Sequence, residues 1–267
     1  MRVSRVLHLS DTHFGTEVAP VVDAVLELAR SLVPDVVVLS GDITQRARRG
    51  QFAAARAFLS RLGLPTLAIP GNHDIPLFNV AARILNPYGG YRRAIGMALE
   101  PVFSNDRVLA IGVNTTRPSR HKNGEVSREQ IDRVCAQLRQ AHPHQLRIVV
   151  VHQPVRAVVE SDTRNLLIGR ESAVPAWVDA GMDIVLGGHI HLPYVAPLPT
   201  RSARRAWAVQ AGTAVSHRVR GSIPNSVNVI EHHAEDGQVS CRVQRWDYDA
   251  GGKAFAVVDN AVLELSR

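Results

Sequence analysis

Aspartate, histidine and asparagine recur along this chain in short segments suited to holding divalent metal ions. Asp11 and His13 stand in SDTHFG, Asp42 in SGD, and Asn72, His73 and Asp74 in PGNHD. His152 closes VVVH, and His189 and His191 lie in GGHIH. Carboxylate, imidazole and amide donors without thiolate favour manganese, iron, zinc or a related divalent ion over a structural zinc held by cysteines. Asp11, His13, Asp42, Asn72, His152, His189 and His191 are too many ligands for one catalytic ion with open positions. They suit two ions sharing a bridging carboxylate. Two ions about 3.5–4 Å apart clamp the attacking and leaving oxygens of a phosphoryl displacement and lower the pKa of bound water towards roughly 7. A lone Asp-x-His or His-x-His would be ordinary surface or loop chemistry; five such segments together are not.

The elements that must position these residues alternate in kind. SRVLHLS (4–10) is a short apolar strand ending at Asp11, and DVVVLS (35–40) a buried strand ending in Gly41-Asp42. Thr66 to Ile69 is a third strand, stopping at Pro70-Gly71. Between them, helical spacing of apolar residues predicts helices over 19–32 and about 50–62. Asp11, Asp42 and Asn72 thus recur at intervals of one strand-helix-strand unit, which returns the chain to the same sheet edge each time. In open parallel sheets that edge is where ligands bind. Glycines 41, 71, 187 and 188 beside the donors allow sharp turns and close backbone approach.

After a less regular stretch from about 76 to 105, readable as a lid or an oligomer contact, Val108 to Val113 predicts a strand. Residues 127–141 predict a helix capped by Ser127, with Gln130 completing a capping box. Arg147 to Val151 and Asp183 to Leu186 are further buried strands. From about 205 the chain turns strand-rich, with Ala206–Gln210, Val227–Glu231 and Val239–Trp246 as strands and Glu235-Asp236-Gly237 as a hairpin turn. Periodicity alone gives an α/β class, and no repeat or linker divides the 267 residues, so one domain is expected.

Composition narrows the setting. The net charge of +7 suits a negatively charged substrate and also nucleic acid, yet the basic residues are scattered and aromatics are only 5%, which disfavours single-strand binding. Cys135 and Cys241 form no ligand spacing and are expected as reduced, buried thiols. The opening MRVSRVLHLSD lacks a signal-peptide core, and no apolar run approaches the ~20 residues of a membrane span, so a cytoplasmic protein is expected.

The segments quoted above resemble the motif set of the calcineurin-like metallophosphoesterase superfamily: DxH, GD, GNHD or GNHE, a later His, and GHxH. All are present between residues 11 and 191. The resemblance implies a four-layer α/β/β/α sandwich of two mixed sheets flanked by helices. It also implies two divalent metal ions, one held by Asp11, His13 and His191 and the other by Asn72, His152 and His189, with Asp42 bridging. His73, with Asn72, would meet the substrate phosphate and stabilise charge or protonate the leaving oxygen, and Asp74 would orient the His73 ring. Within the superfamily, NTTRPSRHKNGEVSREQ and the tail QAGTAVSHRVRGSIPNSVNVIE are similar to bacterial class III cyclic-nucleotide phosphodiesterases. Two residues depart from that group: Gln153 in HQP replaces the usual second His, and Ile75 follows GNHD where many members carry a polar residue.

The implied activity is hydrolysis of a small, nucleotide-like phosphodiester, with 3',5'-cyclic nucleotides first. Another nucleotide diester or pyrophosphate (including a lipid-linked one) and a nuclease are the alternatives, and an inactive metal-binding scaffold comes last. Asn114, Arg117, His217, Arg218 and Arg220 have types that would suit a phosphate, but read more simply as solvated loop residues.

Overall fold

The computed structural model describes residues 3–200, 203–235 and 238–266. In chain order it contains β1 (Ser4–Leu9), α1 (Ala19–Leu32), β2 (Val36–Leu39), α2 (Arg49–Leu62), β3 (Thr66–Ala68), α3 (Val80–Leu85), α4 (Gly89–Ala94), β4 (Val102–Ser104) and β5 (Val108–Gly112). Then come α5 (Arg128–Arg139), β6 (Leu146–Val150), α6 (Arg170–Asp179), β7 (Ile184–Gly187), β8 (Tyr194–Pro197), β9 (Trp207–Gln210), β10 (Ser226–Glu235), β11 (Gln238–Asp249) and β12 (Ala254–Leu263).

These strands form two mixed six-stranded sheets. The first has the order β12-β11-β10-β1-β2-β3, the second β4-β5-β6-β7-β9-β8. In the first, β1, β2 and β3 are parallel, and β10 pairs antiparallel with β1 to start the β10–β12 meander. In the second, β5, β6, β7 and β9 are parallel, with antiparallel β4 and β8 at the edges.

Alternation along each strand separates the layers. On β2, Val36 and Val38 pack between the two sheets, while Val37 and Leu39 pack towards α1 and α2. On β6, Ile148 and Val150 face the inter-sheet layer, and Val149 lies with α5 and α6. The result is the expected four-layer α/β/β/α sandwich. Runs such as DVVVLS carry no polar alternation because both of their faces are covered.

The local signals act as anticipated at several ends. The Ser127 hydroxyl accepts the Gln130 N–H, and the Gln130 side-chain oxygen accepts the Ser127 N–H, 2.9 Å away. Cys135 and Cys241 are both buried, with no disulfide between them. Elsewhere the structure differs from expectation. The stretch 76–105 holds two six-residue helices and strand β4, too short to show periodicity. Helix α6 has Pro175 inside it and little amphipathic character, and β8 and β12 were not anticipated. The Asp236-Gly237 part of the expected hairpin turn lies outside the described residues.

The two sheets place β1, β2, β6 and β7 so that their carboxyl ends converge. Past β1 and β2 the chain continues side by side: the N–H groups of Asp11, His13 and Phe14 donate to the carbonyls of Gly41, Asp42 and Ile43. The Gly188 N–H donates to the His152 carbonyl within the second sheet's rim, and the Ala214 N–H donates to that of Ser10, which ties this rim to the first sheet's.

Candidate metal centre

Two clusters of donors form where these segments meet. Asp11, His13 and His191 make one and Asp42, His152 and His189 the other, each with its ligand atoms within 4.8 Å of one another. In the first, His191 Nε2 lies 3.2 Å from Asp11 Oδ1 and 3.2 Å from His13 Nε2, which is 3.7 Å from Asp11 Oδ1. Atoms about 2.0–2.2 Å from one common ion stand roughly 3–3.6 Å apart, so these spacings fit a shared cation. Asp42 Oδ2 faces both clusters, 3.3 Å from His152 Nε2 and 3.9 Å from His13 Nε2.

The chain holds these donors in backbone conformations that side chains seldom adopt. Asp11, His13, Asp42, His189 and His191 all have positive φ, between 42° and 72°. Asp and His tolerate this region better than most residues, but each instance is still unfavourable. The strain sits at the donors and is borne by the sheets that carry them. Close approach completes the rim. A Cβ on Gly71 would overlap the backbone nitrogen and carboxylate of Asp42, and one on Gly188 would come within 2.5 Å of Asp11 Oδ2.

The surrounding hydrogen bonds aim the free electron pairs inward. His152 Nδ1 donates to the Ser40 carbonyl at 2.8 Å, and His191 Nδ1 to the Arg218 carbonyl, leaving Nε2 of each as the ligand atom. Asp11 Oδ2 accepts the His189 N–H at 2.9 Å and Asp42 Oδ1 the His73 N–H at 2.7 Å, leaving one oxygen of each. Asp11 Oδ1, Asn72 Oδ1, His152 Nε2 and both ring nitrogens of His189 are buried without a hydrogen-bond partner among the described residues. Unpaired polar atoms in a protein interior cost about 1–3 kcal/mol each. Coordination to divalent ions would engage Asp11 Oδ1, Asn72 Oδ1, His152 Nε2 and one ring nitrogen of His189, and the donor chemistry fits such ions.

The electrostatics agree. Burial alone would raise the carboxyl of Asp42, but the charges of His152 and His73 hold it well below the ordinary range. Asp11 is likewise held low, against burial, chiefly by His191. Burial works against the protonated form of His152, but Asp42 overrides it and raises the ring to about 9. His189 falls to about 3 through burial and the neighbouring His152.

His73 lies beside the clusters, its Nε2 4.0 Å from Asp42 Oδ2 and its ring 4.9 Å from that of His13. Asp74 does not orient it. The buried Asp74 carboxylate instead accepts the N–H groups of Ile43, Thr44 and Gly71 and the Thr44 hydroxyl, pinning the loop after β2 to the Asn72–Asp74 turn. The His73 ring is held by the Gln45 carbonyl, which takes Nδ1 at 2.8 Å.

Sequence reasoning passed over Arg218. Its Nη1 lies 3.0 Å from Gln45 Oε1, 3.4 Å from His73 Nε2 and 3.4 Å from His13 Nδ1. Arg220 pairs with Asp162, Arg117 with Gln130, and Asn114 with Thr116, while His217 is exposed. Gln153 is buried and joins Thr115 Oγ1 to the Lys122 carbonyl, anchoring the 114–124 loop. Ile75 is buried in the core.

Residues 4–193 match the family described as calcineurin-like phosphoesterase. The chain belongs to the calcineurin-like phosphoesterase family. It is a metal-dependent phosphoesterase, and each of its two donor clusters could hold a divalent ion. Over 184 residues, 68% of this chain and 67% of the relative, the phosphoesterase is 27% identical to a probable cyclic nucleotide phosphodiesterase of Synechococcus sp.. Over 160 residues, 59% of this chain and 57% of the relative, it is 26% identical to a probable glycerophosphodiester phosphodiesterase, GpdQ, of Arcobacter nitrofigilis. The matches thus span from just over half to two thirds of these relatives. In fold, the phosphoesterase is similar to a dimetal phosphatase from Danio rerio (TM-score 0.67, 14% identity, 98% and 99% of the two chains). It is also similar to purple acid phosphatase PPD1 of yellow lupin (TM-score 0.68, 12% identity, 98% of this chain and 53% of the other). Among the described residues, no helix is long and apolar enough to cross a membrane.

Proposed function

We propose that this phosphoesterase hydrolyses a small phosphodiester, with 3',5'-cyclic nucleotides as the preferred class. The observation that carries the reading is the convergence of two donor clusters with Asp42 facing both. Asp11, His13 and His191 would hold one ion; Asn72, His152 and His189 the other; Asp42 would bridge. Manganese, iron and zinc all suit these oxygen and nitrogen donors. When bound, the ions supply Lewis acidity for a phosphoryl oxygen and activate water. The chain's own residues do the rest. Arg218 offers a permanent positive charge to the phosphate oxygens. The His73 ring, fixed at Nδ1 by Gln45, presents Nε2 to the substrate. In its cationic form it donates a proton to the leaving oxygen. Asn72 lines the same turn.

The diester class is supported by the names of the similar proteins, which include cyclic nucleotide and glycerophosphodiester phosphodiesterases. The latter make a glycerophosphodiester the second reading. We also infer that the chain forms one domain, because β10–β12 extend the same sheet as β1–β3.

The test is hydrolysis of a chromogenic aryl phosphodiester by the manganese-loaded protein beside Asn72→Ala and His73→Ala, followed by a panel of cyclic nucleotides, dinucleotides and glycerophosphodiesters. Wild-type turnover no greater than that of the variants would defeat the enzyme reading. Turnover of every diester except cyclic nucleotides would defeat only the substrate preference.

A further inference from the structure

A groove of about 970 Å³ runs between α2, α3 and α4. Arg46, Arg48, Arg49, Arg56 and Arg93 line it, and no lining residue is acidic. None of these guanidinium groups has a carboxylate partner among the described residues; that of Arg46 lies over the Phe78 ring, 5.8 Å from its centre. Five arginines without carboxylate partners give this face a positive potential that favours an anionic counterpart.

Large apolar side chains are exposed at Phe78, which lines the groove, and on α3, the helix that forms one of its walls. Phe78 is 75% exposed, Val80 61%, Ile84 73% and Leu85 83%. Val80, Ile84 and Leu85 are not among the groove's lining, so a small anion bound within it would leave them in water. A second copy of the chain would set the same arginines against one another across a two-fold contact, at an electrostatic cost. An anionic bilayer meets both demands: lipid phosphates take the guanidinium groups while the α3 side chains enter the acyl boundary.

We propose that the face built from α2, α3 and α4 docks this protein on anionic lipid membranes. The same face adjoins the metal centre on both sides. Arg46 follows Gln45, which holds His73, and Pro76 follows closely on the Asn72–Asp74 turn. Docking therefore brings the catalytic rim to the lipid surface.

Co-sedimentation of the full chain with phosphatidylcholine vesicles, with and without phosphatidylglycerol, tests this. Binding is expected only with phosphatidylglycerol and should weaken as salt is raised. Neutralising the pair Arg49→Gln and Arg93→Gln should weaken it about fivefold per arginine. Ile84→Asp with Leu85→Asp should also release the protein, while turnover of a soluble aryl phosphodiester stays unchanged in both variants. Should the aspartate variant fail to fold, the exposed arginine pair decides alone. Equal binding to both vesicle types, binding to neither, or an arginine pair that binds like wild type overturns the proposal. So does a concentration-dependent dimer that the aspartate variant abolishes, which would assign the face to a second copy. Because the readout is vesicle binding, it stands whether or not a diester is hydrolysed.

Discussion

Arg218 meets the donor set twice: its carbonyl oxygen accepts the Nδ1 hydrogen of His191, and its guanidinium comes within 3.4 Å of His73 Nε2. One residue thereby aims a metal ligand through its backbone and faces the substrate side of the site through its side chain. It is held for both tasks: its N–H donates to Ser216 Oγ, and its carbonyl also accepts the Thr213 hydroxyl.

The division between backbone and side chain predicts separable effects. Arg218→Ala keeps the carbonyl and should bind two metal equivalents, measured by plasma mass spectrometry. Its kcat/KM for an aryl phosphodiester should nevertheless fall about 10²-fold, the usual loss for one charge-stabilising donor. Loss of a metal equivalent instead would assign Arg218 to the ligand shell alone.

Asp74 is predicted to act on stability more than on chemistry. Asp74→Asn turns one acceptor into a donor that faces backbone N–H groups, leaving buried donors unpaired. Metal-free protein should lose roughly 2–4 kcal/mol in urea denaturation. A variant as stable as wild type but catalytically dead would restore a direct role for Asp74 beside His73.

Metal loading should release protons. In the metal-free protein His152 is raised to about 9, so at neutral pH its ring is protonated against Asp42. The stability that this ion pair contributes is full below the unfolded value near 6.5 and is lost as pH rises through about 9. An ion must displace the proton, so affinity should climb with pH until about 9. Calorimetric titration with manganese in buffers of different ionisation enthalpy would detect the release; a buffer-independent heat at neutral pH would contradict it.

His8 should make the fold acid-sensitive. It is fully buried on β1, and its Nδ1 faces the Asn228 amide, so Nε2 donates to Ser40 Oγ and the ring is neutral. Burial lowers it to about 3. Its stabilising contribution is whole above 6.5 and declines as pH falls towards 3, because only the unfolded chain takes up the proton. The slope approaches about 1.4 kcal/mol per pH unit. His8→Gln should flatten this part of the stability profile; an unchanged slope would place the acid sensitivity elsewhere.

The donors were legible because their types are rare in such combination and their spacing matches one strand-helix-strand return. Asp11, Asp42 and the Asn72–Asp74 turn stand where the alternation places them, and Ser127 and Gln130 announce α5 through a contact only three residues long. The six-residue helices α3 and α4 left no trace, since barely two turns cannot establish a period. The apolar runs of β2 and β6 could not say which valine faces the other sheet and which the helices.

By itself, the chain's order of residues singled out the candidate donors, the parallel strands that carry them and the chemistry such donors favour. Tertiary structure alone decided that Gln45 rather than Asp74 holds His73, that Arg218 rather than Arg220 reaches the site, and that Gln153 anchors a loop. Residue type and spacing act within a few turns of chain, whereas these contacts join segments 28 to 145 residues apart. Which of several similar polar side chains arrives there depends on how two sheets stack and where their connecting loops cross.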